Sequence, residues 1–136
     1  MDERSSISDL YVVDTHALFW YLVHSTRLSK LGDEIFQRAF AGKATLILSP
    51  IVLLELYGLA RKVKAPFDFA NELALFEQAP FRIEPITSAD LRLLDRLSVI
   101  PELHDRLVAA TALRLSAPIL TCDPLINACA EVACVW

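Results

Sequence analysis

Four acidic residues lie beside apolar segments, where an unpaired charge is costly. They are Asp14, Glu55, Asp105 and Asp123, and each is next to a run that is typical of a buried strand or helix. Burying an isolated carboxylate is strongly unfavourable, so this placement predicts a shared partner for the four groups. Carboxylates that repel one another need a positive partner, and their oxygens suit a hard divalent cation. The pattern therefore predicts a metal site.

Helix capping is an alternative explanation for two of these acids. Asp123 precedes Pro124, and Asp14 precedes a predicted helix. An aspartate at a helix start accepts hydrogen bonds from backbone N–H groups, so both residues fit a purely structural role. Glu55 lies in mid-helix between two leucines, where no cap is needed, and it favours the metal site.

Strand and helix patterns alternate along the chain. Short apolar runs predict strands at 10–14, 46–48, 81–84 and 119–121, and a candidate fifth strand at 133–136. Periodicity and caps predict helices at 15–23, 29–41, 50–62, 68–78, 87–97 and 104–116, and a short helix from Pro124. The predicted fold class is α/β, a three-layer α/β/α sandwich around a mainly parallel sheet of about five strands.

This architecture would bring the four acids together. Ligands of open parallel sheets bind outside the carboxyl ends of the strands. Asp14 and Asp123 directly follow predicted strands, whereas Glu55 and Asp105 lie on helices that lead away from the same edge. We therefore expect all four side chains to face one site there.

Length and composition indicate a single domain over residues 1–136, with a flexible tail at 1–9. Hydrophobic residues make up 54% of the 136 positions, which excludes a disordered chain. Three cysteines without a Cys-x-x-Cys pair fit neither a disulfide framework nor a zinc ribbon, and we expect mostly buried thiols. The acidic start is unlike a signal peptide and no apolar run has membrane-spanning length, so we expect a cytoplasmic protein with no membrane partner.

The charge balance excludes nucleic-acid binding by bulk electrostatics. The net charge is −4, whereas neutralising phosphates requires clustered Lys and Arg. A local basic patch does occur at 61–64, although such a patch is usually a solvated face. Phe19, Trp20 and Tyr21 are expected in the core or an interface, not as stacking platforms for bases.

Taken in order and spacing, the acidic segments resemble those of the PIN-domain ribonucleases, and among them the VapC toxins of prokaryotic toxin–antitoxin pairs. The matching segments cover nearly the whole chain, at 12–22, 49–55, 104–112 and 119–124. One departure is that Pro101-Glu102-Leu103-His104 precedes Asp105, where many relatives carry Asp-Pro-Phe-Asp. This difference affects the expected substrate loop.

The resemblance implies a role for each matching residue. Asp14, Glu55, Asp105 and Asp123 match a catalytic quartet that binds Mg²⁺ or Mn²⁺ for hydrolysis of RNA phosphodiesters, leaving a 5′-phosphate and a 3′-hydroxyl. Hydroxyl positions that support those acids are matched by three residues, Thr15, Ser49 and Thr121.

Two further residues near the quartet have alternative roles. Arg106 would contact phosphate or form a salt bridge with Asp105. His104 would contact RNA from the rim or be an exposed histidine at a helix start.

The resemblance also implies two protein partners. Relatives form homodimers and are silenced by a VapB-like antitoxin that places a basic side chain in the acidic pocket. The high apolar fraction agrees with a partly covered surface.

Other functions remain open in part. One is a PIN nuclease of RNA processing or decay, and another is a non-catalytic PIN-like binding module. Phosphatases of the haloacid-dehalogenase type need a second acid where His16 stands, and receiver domains need an acidic pair that 10–13 lacks. These last two classes are disfavoured.

Overall fold

Five parallel strands form one sheet in the computed structural model, which describes residues 9–136. The strands are β1 (Leu10–Val13), β2 (Thr45–Leu48), β3 (Phe81–Ile83), β4 (Ile119–Leu120) and β5 (Cys134–Val135). Their order across the sheet is β3-β2-β1-β4-β5, and every neighbouring pair is parallel. This confirms the predicted parallel sheet of five strands. The predicted tail before Asp9 lies outside the described residues.

Seven helices connect and cover these strands within residues 9–136. They are α1 (Thr15–Leu22), α2 (Lys30–Phe40), α3 (Pro50–Val63), α4 (Phe69–Phe76), α5 (Ser88–Leu91), α6 (Leu103–Leu115) and α7 (Pro124–Asn127). Because a parallel sheet needs both faces covered, helices and sheet form the predicted three-layer sandwich. None of these helices combines the length and apolarity needed to cross a bilayer.

Side-chain caps explain where two of the helices begin. The Oγ atom of Ser29 accepts a hydrogen bond from the N–H of Gly32 at 2.9 Å, and Ser49 Oγ accepts from Ile51 N–H at 3.2 Å. Both satisfy N–H groups that a helix start leaves without a partner. After α2 the chain turns at Gly42, whose φ of 80° a residue with a Cβ adopts at a cost.

The core lies on both sides of the central strands. Most residues of β1, β2 and β4 are buried, as expected for strands covered on both faces. Phe36 of α2 is also fully buried, and its ring stacks on Tyr21 of α1 at a centroid distance of 4.0 Å. The packing of α1, α3 and α6 around β1 fixes the positions from which the acids emerge.

The predicted helix at 87–97 is wrong in length, because α5 ends at Leu91 and turns follow. Asp90 is fully buried and accepts from Arg114 Nε at 2.5 Å, so α5 is fixed to α6. Beyond Leu91 several backbone bonds span three residues, including Leu94 N–H to Leu91 and Ile100 N–H to Leu97. This tighter winding accompanies complete burial of Leu97 and Ile100.

Candidate functional site

The predicted acids gather where the strand order reverses. β1 pairs with β2 on one side and with β4 on the other, and Asp14 and Asp123 follow β1 and β4 at their carboxyl ends. Chains leaving neighbouring strands at such a point diverge to opposite sides and leave a crevice. The site therefore occupies the position that the predicted topology indicated.

Asp14 is the most buried of the four acids and both its oxygens are held. Only 8% of the residue is exposed. Its Oδ1 accepts from the N–H of Thr15 at 2.8 Å, and its Oδ2 accepts from the hydroxyl of Thr121 at 2.7 Å. The Thr121 hydroxyl also accepts from Asp123 N–H at 3.0 Å. One buried hydroxyl thus links the ends of β1 and β4.

Asp123 caps α7 while it lines the site. Its Oδ1 accepts from the N–H of Leu125 at 2.8 Å, and within residues 9–136 no hydrogen bond engages Oδ2. Asp14 likewise caps α1 through its bond to Thr15. Helix capping and metal binding are therefore compatible roles for Asp14 and Asp123, because one carboxylate has enough lone pairs to accept from a helix N–H and to bind a ligand at the same time.

Glu55 reaches the site from the middle of α3. The hydroxyl of Thr15 donates to Glu55 Oε1 at 2.8 Å, which ties the glutamate to the start of α1. Its neighbour Leu56 is fully buried and Leu54 is 62% exposed, so Glu55 lies at the boundary between core and solvent. Glu55 is held there by a hydroxyl group from another helix, which explains why the sequence alone gave this residue no structural role.

Asp105 completes the set from the first turn of α6. A cleft of about 480 Å³, here called the acidic cleft, is lined by Asp14, Thr15, His16, Glu55, Gly58, Leu59, Glu102, Asp105 and Asp123. Burial first, and then the charges of Asp14, Asp123, Glu55 and Glu102, raise the pKa of Asp105 to about 7. Burial and the surrounding negative charge thus both disfavour the ionised form of Asp105 in the absence of a cation.

The donor set fits a hard divalent cation with part of its water shell. Within residues 9–136, no three His, Cys, Asp or Glu side chains stand close enough to enclose an ion directly. Mg²⁺ does not require such a cage, since it keeps several waters and binds through one or two carboxylates plus phosphate. Such an ion would reduce the repulsion between the carboxylates. The partly exposed cleft offers it oxygen donors and access to water.

Two sequence-predicted positions, Ser49 and Arg106, lie differently from expectation. Ser49 is fully buried and its hydroxyl bonds Ile51 N–H, so it starts α3 and contacts no acid in the part of the chain that the structure describes. Arg106 donates from Nε to Ile100 O at 2.5 Å and from Nη2 to Ser98 O at 3.4 Å. Its guanidinium thus holds the preceding loop, and neither predicted role of Arg106 describes that contact.

Glu102 lines the acidic cleft, and His104 lies beside two of the lining residues. His104 is exposed near the start of α6, as one of its two explanations expected, with Nδ1 3.8 Å from Glu55 Oε2 and 3.9 Å from Glu102 Oε1. Glu102 caps α6 through His104 N–H at 3.0 Å and was missed as a site residue. Its position three residues before Asp105, at a helix start, was the available indication.

The cysteines carry no disulfide, but Cys122 departs from the expected burial. It is exposed beside Asp123, whereas Cys129 is buried and Cys134 is half-buried. Burial first, and then the charges of Asp14 and Asp123, raise the pKa of the Cys122 thiol. A raised pKa disfavours the thiolate, which is the reactive form of cysteine.

The family model of the PIN domain matches residues 11–131. This chain belongs to the PIN domain family. The match spans all four acidic segments and confirms the resemblance seen in the sequence. A comparison with curated proteins gives no match.

Solved structures similar to this PIN domain are complexes or toxins of bacterial origin. VapBC2 from Rickettsia felis, bound to a DNA fragment from its promoter, is 17% identical with a TM-score of 0.70, covering 93% of this chain and 97% of that chain. FitAcB from Neisseria gonorrhoeae is 20% identical with a TM-score of 0.65, covering 93% and 96%. VapC20 from Mycobacterium tuberculosis, a sarcin-ricin loop cleaving toxin, is 17% identical with a TM-score of 0.63, covering 90% and 98%. The likeness at this identity establishes a shared fold.

Proposed function

We propose that this PIN domain is a divalent-metal-dependent endoribonuclease and the toxin of a VapBC-type toxin–antitoxin pair, acting in the cytoplasm. The observation that carries the proposal is the convergence of Asp14, Glu55, Asp105 and Asp123 on one cleft. They come from four separate segments, and hydroxyl groups hold two of them in place. Carboxylates that repel one another within one cleft are typical of functional sites.

The residues of this chain would divide the work at the cleft. Asp14, Asp105 and Asp123 hold Mg²⁺ or Mn²⁺, directly or through water, with Glu55 binding the ion or orienting the attacking water. The ion supplies positive charge for the phosphate and lowers the pKa of water at the site. Thr121 fixes the orientation of Asp14 through Oδ2, and Thr15 fixes Glu55 through Oε1. These bonds limit the reorganisation needed when substrate binds.

The similar structures support the toxin assignment and its partners. The names of two of them, VapBC2 and FitAcB, describe assemblies, and VapC20 is described as cleaving a sarcin-ricin loop. For this chain we propose an RNA substrate, a VapB-like antitoxin and a homodimer. Exposed large apolar side chains fit a partner-covered surface, and Leu54 at 62% and Leu103 at 59% exposure directly follow or precede cleft residues in sequence.

The direct test compares the wild type with Asp14→Asn. The variant keeps the shape of the side chain and its cap of α1, but it removes the charge beside the cleft. We expect Mn²⁺ binding by calorimetry and cleavage of a mixed RNA pool to fall at least a hundredfold together, as for the loss of a metal ligand. Asp68→Asn is the matched control, since Asp68 is exposed before α4 and its side chain makes no capping bond.

The outcomes separate the candidate functions. Equal cleavage by wild type and Asp14→Asn would refute the assigned site. Metal binding that depends on Asp14, without cleavage of any RNA tested, would favour the non-catalytic module. Growth arrest on expression, relieved by a co-expressed small neighbouring protein, distinguishes a toxin from a nuclease of RNA processing.

A further inference from the structure

A second cleft shares a wall with the acidic cleft. It has a volume of about 330 Å³ and is lined by Asp14, His16, Ala17, Trp20, Arg27, Thr121, Cys122, Asp123 and Pro124. Asp14, His16 and Asp123 line both clefts. The two clefts are therefore adjacent, and the second one is here called the flanking cleft.

The flanking cleft differs in chemistry from the acidic cleft. No Lys or Arg of residues 9–136 lines the acidic cleft, whereas Arg27 lines the flanking one. Arg27 is exposed, and its guanidinium has no carboxylate partner in the described part of the chain. An unpaired guanidinium beside a nuclease-like carboxylate site is suited to an anionic group, with phosphate as its bidentate partner.

Aromatic rings form the other wall of the flanking cleft. His16 is exposed, and its ring lies 5.5 Å from that of the half-buried Trp20. Trp20 is in turn braced edge-on by Trp136 at 5.7 Å. Aromatic rings that line an open cleft are suited to stacking with a nucleobase.

We propose that the flanking cleft seats one nucleotide of a single-stranded RNA, next to the nucleotide whose phosphate faces the acidic cleft. Trp20 and His16 contact the base, and Arg27 contacts a phosphate. This inference rests on the proposed ribonuclease function and adds a substrate-binding site to it. The volume agrees with a single nucleotide, since it is close to the lower limit of about 300 Å³ for small-ligand sites. Specificity for single strands follows, because a paired base cannot present its face.

Tryptophan fluorescence provides a local readout of this site. The chain has two tryptophans, of which Trp20 lines the flanking cleft and Trp136 packs against the ring of Trp20. A single-stranded RNA hexamer is titrated in EDTA, so that metal-dependent cleavage does not occur during binding. We expect saturable quenching in the wild type, because a stacked base quenches the indole that it covers.

The Arg27→Gln variant tests the phosphate contact. We expect its RNA affinity to fall roughly fivefold, and the slope of log affinity against log salt to decrease in magnitude by about 0.7, the value for one phosphate on a single strand. Arg27→Lys restores the slope, since it keeps the charge. Arg92→Gln is the control, because Arg92 is equally exposed, follows α5 and lines neither cleft among the described residues.

The results separate this inference from the ribonuclease assignment. Quenching that weakens in Arg27→Gln and not in Arg92→Gln supports the nucleotide site. An unquenched wild type, or equal weakening in both variants, overturns it, even where cleavage with Mn²⁺ is intact. Quenching by an acidic peptide as strong as that by RNA also overturns it, in favour of a protein ligand. If quenching depends on Arg27 but no metal permits cleavage, the binding site stands and the nuclease assignment fails.

Discussion

Replacing Thr121 with valine removes one hydroxyl and keeps the branched shape of the side chain. Thr121 is 2% exposed, so water does not replace the lost group. The hydroxyl donates to Asp14 Oδ2 at 2.7 Å and accepts from Asp123 N–H at 3.0 Å. The substitution therefore leaves two polar groups of the site without a partner at once.

The expected loss of stability follows from those two bonds. A hydrogen bond to a charged acceptor contributes about 1.5–3 kcal/mol, and an unpaired, partly buried N–H costs about 1 kcal/mol. The free energy of unfolding of metal-free protein should fall by about 3 kcal/mol. For a chain of 136 residues this lowers Tm by about 10 °C. Asp14 also loses its fixed orientation, so RNA cleavage should fall as well.

Thr111→Val is the control for Thr121→Val. Thr111 is fully buried, but its hydroxyl donates at 3.2 Å to Leu107 O, a carbonyl within the same helix. Removing a second donor from a carbonyl in a helix costs less than about 1 kcal/mol. Urea unfolding of both variants in EDTA gives the comparison, provided that the m-values are equal. If Thr121→Val loses no more stability than Thr111→Val, the hydroxyl does not link Asp14 to Asp123 as described.

Two other substitutions test the framework around the site. Arg114→Met leaves the fully buried Asp90 without its ion pair, so the free energy of unfolding from thermal unfolding should fall by about 3 kcal/mol. A fall of less than about 1 kcal/mol would mean that Arg114 does not compensate the charge of Asp90. Ser49→Ala removes the cap of α3 and should cost about 1 kcal/mol in urea unfolding, with unchanged Mn²⁺ affinity by calorimetry. Weakened Mn²⁺ binding in Ser49→Ala would instead give Ser49 the acid-supporting role that the family resemblance implies.

Local patterns were enough to predict most of the fold. Strands and caps follow from short-range rules, and the helices predicted at 29–41 and 50–62 match α2 and α3 closely. The sequence also indicated which acids follow a strand and which lie on a helix. Because ligands of parallel sheets bind outside the carboxyl ends of the strands, this was enough to predict that the four acids meet at one site. The helix predicted at 87–97 was wrong in length, since a local capping pattern gives the start of a helix and not the point where tighter turns replace it.

Roles that depend on distant or backbone partners were not predictable. Arg106 was expected to contact phosphate or to form a salt bridge with Asp105, but its guanidinium reaches the carbonyls of a loop six and eight positions earlier. Arg27 lies in a loop with no acidic pattern near it, and only the fold brings it beside Asp123. Side-chain direction, which sequence spacing does not give, decides both cases.

The bond between Thr121 and Asp14 joins residues 107 positions apart, and this separation has a consequence for protein synthesis. Contacts of large sequence separation form late, because the closing of a long loop precedes any gain from them. A nascent chain that has not yet emerged as far as β4 lacks Thr121 and Asp123, and it holds Asp14 without its partner. Under the proposed function, incomplete chains released from the ribosome are therefore expected not to cleave RNA, and activity would begin only once β4 has paired with β1.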